Sequence, residues 1–181
     1  MIYVFLANGF EEIEALAPVD FLKRAGFDVV LVGVGEDVVR GAHGIKVSSD
    51  IRIEDAALGD FLEGIILPGG MPGAENLNNS QLVQKAIDYC NENDKIIGAI
   101  CAAPFILGRK GLLKGKNATC FPGFEDELVG ANLVESGVII DGKIVTAKGA
   151  GVAWEFGAAI CSIIKGEEKS LEILRGIQWR K

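Results

Sequence analysis

A cysteine at a predicted strand-to-helix turn is the residue best placed to do chemistry in this chain. Cys101 follows the apolar run 96–100, which predicts a short buried strand, and precedes a helical stretch over 105–110. A side chain at such a turn is held in strained backbone geometry, and the turn needs small residues nearby, here Ala99 and Ala103. The amides at the start of the following helix favour a thiolate over a thiol. We therefore predict that Cys101 is a reactive nucleophile.

A glutamate in the first predicted helix is the expected partner of this thiol. Glu14 lies in an apolar stripe at helical spacing, formed by Phe10, Ala17 and Phe21. Such surroundings raise the pKa of a carboxyl group, so Glu14 is expected to stay protonated near neutrality and to donate a hydrogen bond to a thiolate. Glu11 and Glu12 also fit the preference of acidic residues for a first helical turn. Periodicity favours Glu14 over Glu12 only modestly, because Glu12 has apolar neighbours too.

Two glycine-rich segments are expected to line the same site. Residues 68–73 follow a buried strand, and their glycines allow backbone amides to approach a ligand closely. We expect the amides of Gly70 and Ala102 to hold an oxyanion together, with Gly69 beside them. Residues 148–151, which contain Gly149, are interpreted as a further wall of the pocket.

The single histidine limits the chemistry that is open to this cysteine. Cysteine peptidases and glutamine amidotransferases need a histidine to accept the thiol proton. His43 falls in a predicted hairpin turn and is interpreted as a surface or dimer-contact residue, with a place in the pocket left open. Cys90 and Cys161 lie on apolar helix faces and are predicted to be core residues. Cys120 is either a pocket residue or a packed thiol at a strand end.

Alternation of strands and helices is the pattern that positions these residues. The chain is predicted to form a single domain over 1–181, an α/β fold with a doubly wound parallel sheet and helices on both faces. In such a sheet the chemistry gathers beyond the carboxyl ends of the strands. The predicted strands cover residues 2–6, 28–32, 38–40, 45–48, 64–67, 96–100, 132–134, 138–140 and 143–146. The predicted helices cover residues 11–25, 81–93, 105–110, 152–165 and 169–177.

Composition excludes several classes of protein. The net charge of -7 argues against a nucleic-acid or anionic-membrane surface, and no apolar run approaches the roughly 20 residues of a membrane span. The four cysteines form no C-x-x-C pair, metal-ligand spacing is absent, and no signal peptide is recognised. We expect a cytoplasmic protein without a metal or other cofactor.

Four motifs in order resemble the ThiJ/PfpI superfamily: FEEIE at 10–14, LPGG at 67–70, GAENL at 73–77 and AICAAP at 99–104. The resemblance is to the branch of the parkinsonism-associated protein deglycase and its bacterial relatives. It implies a flavodoxin-like homodimer in which Cys101 is a nucleophilic, oxidation-prone thiol. It further implies that Glu14 is the protonated partner and that Gly70 and Ala102 supply the oxyanion amides.

Two positions depart from the pattern of that superfamily. Phe121 stands where a third functional residue, a histidine, is usual, which weakens any mechanism that needs a second proton shuttle. His43 matches a basic residue often found after the second strand, and this difference puts in doubt an oxyanion site at the dimer contact.

The resulting hypothesis is a cysteine-dependent enzyme of defence against reactive dicarbonyls. Cys101 would add to methylglyoxal, or to its early adducts on proteins, nucleotides or thiols, and form a hemithioacetal. Glu14 would relay the proton, and water would release a hydroxy acid such as lactate, without glutathione. The alternative is a redox-sensing holding chaperone in which Cys101 is oxidised to a sulfinic acid. A peptidase or amidotransferase is a third, disfavoured reading.

Overall fold

Eleven strands and six α-helices make up the described part of the chain, residues 1–179 of a computed structural model. The strands are β1 (Ile2–Ala7), β2 (Val29–Val34), β3 (Val38–Arg40), β4 (Lys46–Ser48), β5 (Ile51–Arg52), β6 (Gly64–Leu67), β7 (Ile96–Ile100), β8 (Asn117–Ala118), β9 (Asn132–Leu133), β10 (Val138–Asp141) and β11 (Ile144–Ala147). The helices are α1 (Glu12–Arg24), α2 (Gly73–Asn79), α3 (Gln81–Glu92), α4 (Pro104–Arg109), α5 (Ala153–Lys165) and α6 (Glu167–Gly176).

Seven of the strands form the central sheet, in the order β10-β11-β7-β6-β1-β2-β5. All neighbours are parallel except β10 and β11, which form an antiparallel hairpin at one edge. The central strands β1, β6 and β7 are buried along their whole length, because helices cover both faces of a parallel sheet. This architecture confirms the predicted flavodoxin-like α/β fold.

Two apolar cores lie on opposite faces of this sheet. One core contains residues of α2, α3 and α4, among them Leu77, Ile87 and Phe105. The other contains residues of α1 and α5, among them Phe21 and Phe156. Cys90 packs in the first core and Cys161 in the second, so both are core residues, as predicted.

The structure adds elements that local sequence patterns did not predict. Helix α2 begins at Gly73, within a segment interpreted as a loop, and contains three asparagines, a residue with a low helix propensity. Burial of Ala74 and Leu77 in the first core outweighs that propensity. The strands β5 and β8 contain two residues each, too few to show a period. The small antiparallel pair β3–β4 around the His43 turn is confirmed.

The adjacent carboxyl ends of β1, β6 and β7 bring three loops together. These loops lead from β1 into α1, from β6 into α2 and from β7 into α4. No helix among residues 1–179 is both long and apolar enough to cross a membrane.

Candidate active site

Cys101 lies at the turn between β7 and α4 in a backbone conformation that only a minority of residues adopt. Its φ is 64°, the left-handed region, which costs a non-glycine residue free energy. The neighbouring chain holds this geometry from both sides. The Cys101 amide donates to the carbonyl oxygen of Ala147 at 2.8 Å, and the Phe121 amide donates to the Cys101 carbonyl oxygen at 2.8 Å. The predicted strained turn is therefore present, and the half-buried thiol projects from it.

Glu14 reaches the cysteine from the first turn of α1. The Glu11 side chain caps this helix, accepting a hydrogen bond from the Glu14 amide at 2.7 Å. The Glu14 side chain is 1% exposed, and its Oε2 accepts from the Gly69 amide at 3.0 Å. The Ala150 amide and the Cys101 thiol also lie close enough to this carboxyl group to lower its pKa.

Gly69 separates the two reactive side chains and leaves no room for a larger residue. A Cβ atom built on Gly69 would lie 2.5 Å from Glu14 Oε2 and 2.6 Å from Cys101 Cβ. Because both neighbours are fixed by their own backbone contacts, only glycine lets the carboxyl group and the thiol meet here.

Burial controls the protonation of Glu14. It raises the pKa of Glu14 to about 7, although the thiol of Cys101 and the amides of Gly69 and Ala150 oppose the shift. The direction agrees with the expectation from the apolar stripe. Near neutrality the carboxyl group is therefore present in both its protonated and its ionised form.

The pKa of Cys101 shifts in the direction opposite to the one expected from its position at a helix start. Burial, followed by the charge and the hydrogen bond of Glu14, raises the pKa of the Cys101 thiol to about 12. The amides near the sulfur act in the predicted direction, but they are outweighed. The contribution of Glu14 depends on its ionisation, so protonation of the carboxyl group removes it. The charge on each group therefore depends on the charge on the other.

The backbone amides of Gly70 and Ala102 both act on the Cys101 sulfur. Each of them lowers the pKa of the thiol. Gly70 has a φ of 82°, and a Cβ atom there would collide with the backbone of residues 9–11. The glycine thus sets both the direction of its amide and the packing of two loops.

The remaining pocket residues line two cavities beyond Glu14. Phe121, 47% exposed, and Gly149 line a cavity of about 450 Å³, and Gly149 lies near Glu14 Oε1. The buried Cys120 lines another cavity, of about 420 Å³, together with Glu125. Burial raises the pKa of the Cys120 thiol to about 11, so this thiol is protonated at neutral pH.

His43 forms a contact with Glu12 that the sequence analysis missed. Its ring is 70% exposed, and Nδ1 lies 2.8 Å from Glu12 Oε2 and 3.8 Å from Glu11 Oε1. Its described contacts are thus with the glutamates at the start of α1 and not with Cys101. The apolar neighbours of Glu12 at helical spacing were the available signal for its burial.

Glu11, Glu12 and His43 are the one group of potential metal ligands found among residues 1–179, with ligand atoms within 4.8 Å of one another. The Glu12 carboxylate already accepts hydrogen bonds from the His43 amide, the Ile45 amide and the His43 ring. The hydrogen-bonding capacity of the Glu12 carboxylate is thus met by protein groups, and the cluster has a structural explanation that needs no metal ion.

Comparison with known proteins gives a consistent family match. The sequence model of the DJ-1/PfpI family matches residues 1–163. The chain is 40% identical over 171 residues to protein DJ-1 homolog B of Arabidopsis thaliana, covering 93% of this chain but only 39% of that protein. It is 30% identical over 167 residues to the glutathione-independent glyoxalase DJR-1.2 of Caenorhabditis elegans, covering 91% of this chain and 88% of that protein.

A solved structure shows the same architecture. The crystal structure of DJ-1beta from Drosophila melanogaster matches with a TM-score of 0.93 at 31% identity, covering 99% of this chain and 98% of that one. The chain thus spans about two fifths of the Arabidopsis relative but almost the whole of the Drosophila chain.

Proposed function

Because the chain belongs to the DJ-1/PfpI family, we propose that it is a cysteine-dependent enzyme acting on methylglyoxal or on early methylglyoxal adducts of proteins, nucleotides or thiols. The observation that carries the proposal is the pairing of the Cys101 thiol with the Glu14 carboxyl group across Gly69. A glutathione-independent glyoxalase among the relatives supports the same reaction class.

The first step is the addition of sulfur to the aldehyde carbon of the substrate. A bond forms between Cys101 Sγ and this carbon, and the thiol proton passes to the Glu14 carboxylate. Burial raises the pKa of both groups, so the proton leaves the sulfur for the carboxylate only as the bond to carbon forms. The amides of Gly70 and Ala102 stabilise the negative charge that develops on the substrate oxygen. Protonation of that oxygen by Glu14 completes the hemithioacetal.

The second step is an internal redox change within the bound substrate. Glu14 removes the proton from the first carbon and returns a proton to the second carbon, and the hydroxyl proton moves from the oxygen of the first carbon to the oxygen of the second. The aldehyde carbon is thereby oxidised and the ketone carbon reduced. The product is a thioester of a hydroxy acid on Cys101. Water then cleaves the thioester, releasing lactate and the thiol. Since Phe121 cannot carry a proton, Glu14 serves every transfer.

This proposal is tested by the conversion of methylglyoxal to lactate in four proteins: wild type, Cys101→Ser, Glu14→Gln and the control Cys90→Ala. Loss of turnover in the first two variants, with turnover kept in the control, supports it. Melting curves show that the inactive variants are folded. Equal rates in all four proteins contradict the proposal.

We also propose that the protein works as a homodimer, as the resemblance implies, and that it acts in the cytoplasm without a cofactor. Light scattering of the eluted protein measures its mass and separates a dimer from a monomer. A monomer at all concentrations contradicts this part without affecting the chemistry.

A redox-sensing chaperone is the second candidate function. Cys101 is half-buried, whereas Cys90, Cys120 and Cys161 are buried, so an oxidant reaches Cys101 most easily. The protonated form of Glu14 can donate a hydrogen bond to a sulfinate at this position. The order in which the thiols are oxidised tests this candidate.

A further inference from the structure

The hairpin of β3 and β4 places two positive charges directly opposite each other. Arg40 on β3 pairs in antiparallel register with Lys46 on β4, and both residues are exposed. Like charges at directly opposed positions destabilise a strand pair. Acidic residues are plentiful in a chain with a net charge of -7, so a nearby carboxylate would be expected to compensate this repulsion.

Neither cation has a carboxylate partner within the described residues. Among residues 1–179, no carboxylate oxygen lies within 4.0 Å of the Arg40 guanidinium or the Lys46 ammonium group. Arg52 on β5 is by contrast paired with Asp37 and Glu54. Within the same described range, Lys85 and Lys114 also lack a carboxylate within this distance, but neither lies opposite another cation in a strand pair.

Both cations line one cavity of about 380 Å³ at the carboxyl end of β1. The other lining residues are Asn8, Gly9, Glu36, Val38 and Pro72. This volume falls in the range of small-molecule sites. Glu36 is the single acidic lining residue, so two cations against one carboxylate leave the cavity with a net positive charge.

Asn8 supplies an oriented neutral donor to the same cavity. Its side-chain oxygen Oδ1 accepts a hydrogen bond from the Arg40 amide at 2.8 Å, which assigns the two ends of the side-chain amide. Its Nδ2 group has no acceptor among residues 1–179 and remains free to donate. The Gly9 amide donates to the Arg40 carbonyl oxygen at 2.8 Å, so β3 is hydrogen-bonded to the loop that contains Asn8.

We propose that this cavity binds the phosphate group of a small molecule through Arg40, Lys46 and the Asn8 side-chain amide. A phosphate accepts several charge-assisted hydrogen bonds at once and removes the repulsion between the two opposed cations. Glu36 favours a ligand whose remaining part carries a hydroxyl or ammonium group. The inference is independent of the reaction at Cys101.

Isothermal titration calorimetry of the full chain tests this site. The probes are inorganic phosphate and glycerol 3-phosphate, with sodium chloride at matched ionic strength as the blank. The variant Arg40→Gln/Lys46→Gln removes both cations. The control Lys85→Gln/Lys114→Gln removes the same charge from two exposed lysines outside the cavity. We expect saturable binding in wild type and control, and a loss of affinity of about tenfold or more in the cavity variant.

The source of the phosphate follows from the two probes. Tighter binding of glycerol 3-phosphate indicates a phosphate ester, and equal binding indicates free phosphate; either supports the site. Without phosphate, the cavity variant should unfold at a temperature no lower than wild type, because its removal of like charges relieves repulsion. Absence of saturable heat in wild type, or equal affinity in the cavity variant, overturns the proposal. A cavity variant that binds no phosphate and turns from dimer to monomer also overturns it, since the cations would then serve a partner copy.

Discussion

Glu12 and Glu14 lie two positions apart on α1 and are almost equally buried, at 2% and 1% exposure, yet their pKa values shift in opposite directions. Burial opposes ionisation of both side chains. At Glu12, hydrogen bonds from the His43 ring and from neighbouring amides outweigh burial and lower the pKa. At Glu14, burial prevails and raises the pKa to about 7. The balance between burial and hydrogen-bond donors thus separates a structural carboxylate from one that exchanges protons.

The pH dependence of turnover is the first prediction. The ionised form of Glu14 accepts the thiol proton, so methylglyoxal conversion should rise with pH through an apparent pKa near 7 that belongs to the Cys101–Glu14 pair. The measurement is the initial rate at saturating and at low substrate across this range. In Glu14→Gln the inflection should vanish together with most of the rate. An unchanged inflection in that variant would assign it to another group.

The pH dependence of stability is the second prediction. Because the folded pKa of Glu14 lies above its unfolded value, the folded protein gains stability below the unfolded pKa and loses it as pH rises through about 7. Replacement of Glu14 by Gln removes this loss. The difference in unfolding free energy between variant and wild type should therefore move in favour of the variant by about 3 kcal/mol from about pH 4 to about pH 8.

Urea unfolding at several pH values measures this difference. The exposed Glu92→Gln serves as the control, and its difference from wild type should stay nearly constant. If the difference in unfolding free energy between Glu14→Gln and wild type is also independent of pH, burial does not destabilise the ionised carboxyl group.

The steric role of Gly69 is the third prediction. In Gly69→Ala the new methyl group would overlap Glu14 Oε2 and Cys101 Cβ, so one of them must move. We expect a loss of turnover of about a hundredfold or more, since small displacements of reacting groups have effects of that size. Gly176→Ala has open space around its Cβ and is the control. Full activity in folded Gly69→Ala would show that the contact between carboxyl group and thiol is not needed.

The titration of His43 is the fourth prediction. Its hydrogen bond to Glu12, with the charge of Glu12, raises the pKa of His43. In Glu12→Gln a neutral amide replaces the charged acceptor, so the pKa of His43 should fall toward that of an unperturbed histidine. Since the chain has one histidine, its ring signal can be followed without assignment by NMR. Glu11→Gln should have a smaller effect, because that carboxylate lies 3.8 Å from the ring.

The order of cysteine oxidation is the fifth prediction and separates the two candidate functions. With graded peroxide, Cys101 should gain two oxygens before Cys90 or Cys161, because the latter two are fully buried. Peptide mass spectrometry gives the extent at each thiol. The redox reading also requires Glu14→Gln to change how far Cys101 is oxidised. Even oxidation across the thiols would remove support for the sensor.

Local patterns in the chain predicted every strand of the central sheet except β5, and the turn that carries the thiol. The apolar run of β7 followed by a small-residue turn predicted the elbow at Cys101, because strand length and turn chemistry are encoded by neighbours in sequence. Helix α2 escaped prediction, since its stability comes from burial against a core built by distant strands. For the burial of Glu12, the sequence offered only its apolar neighbours at helical spacing, which did not clearly distinguish it from Glu14.

The protonation of the site was decided by tertiary structure alone. From the sequence, Glu14 could be placed in an apolar stripe and Cys101 at a helix start, and those two facts favoured a standing thiolate. The fold brings Glu14 against Gly69, 55 residues away, and into contact with Cys101, so that one group's charge sets the other's pKa. Desolvation and charge coupling depend on distances between segments that are remote along the chain, and these distances exist only once the sheet has assembled.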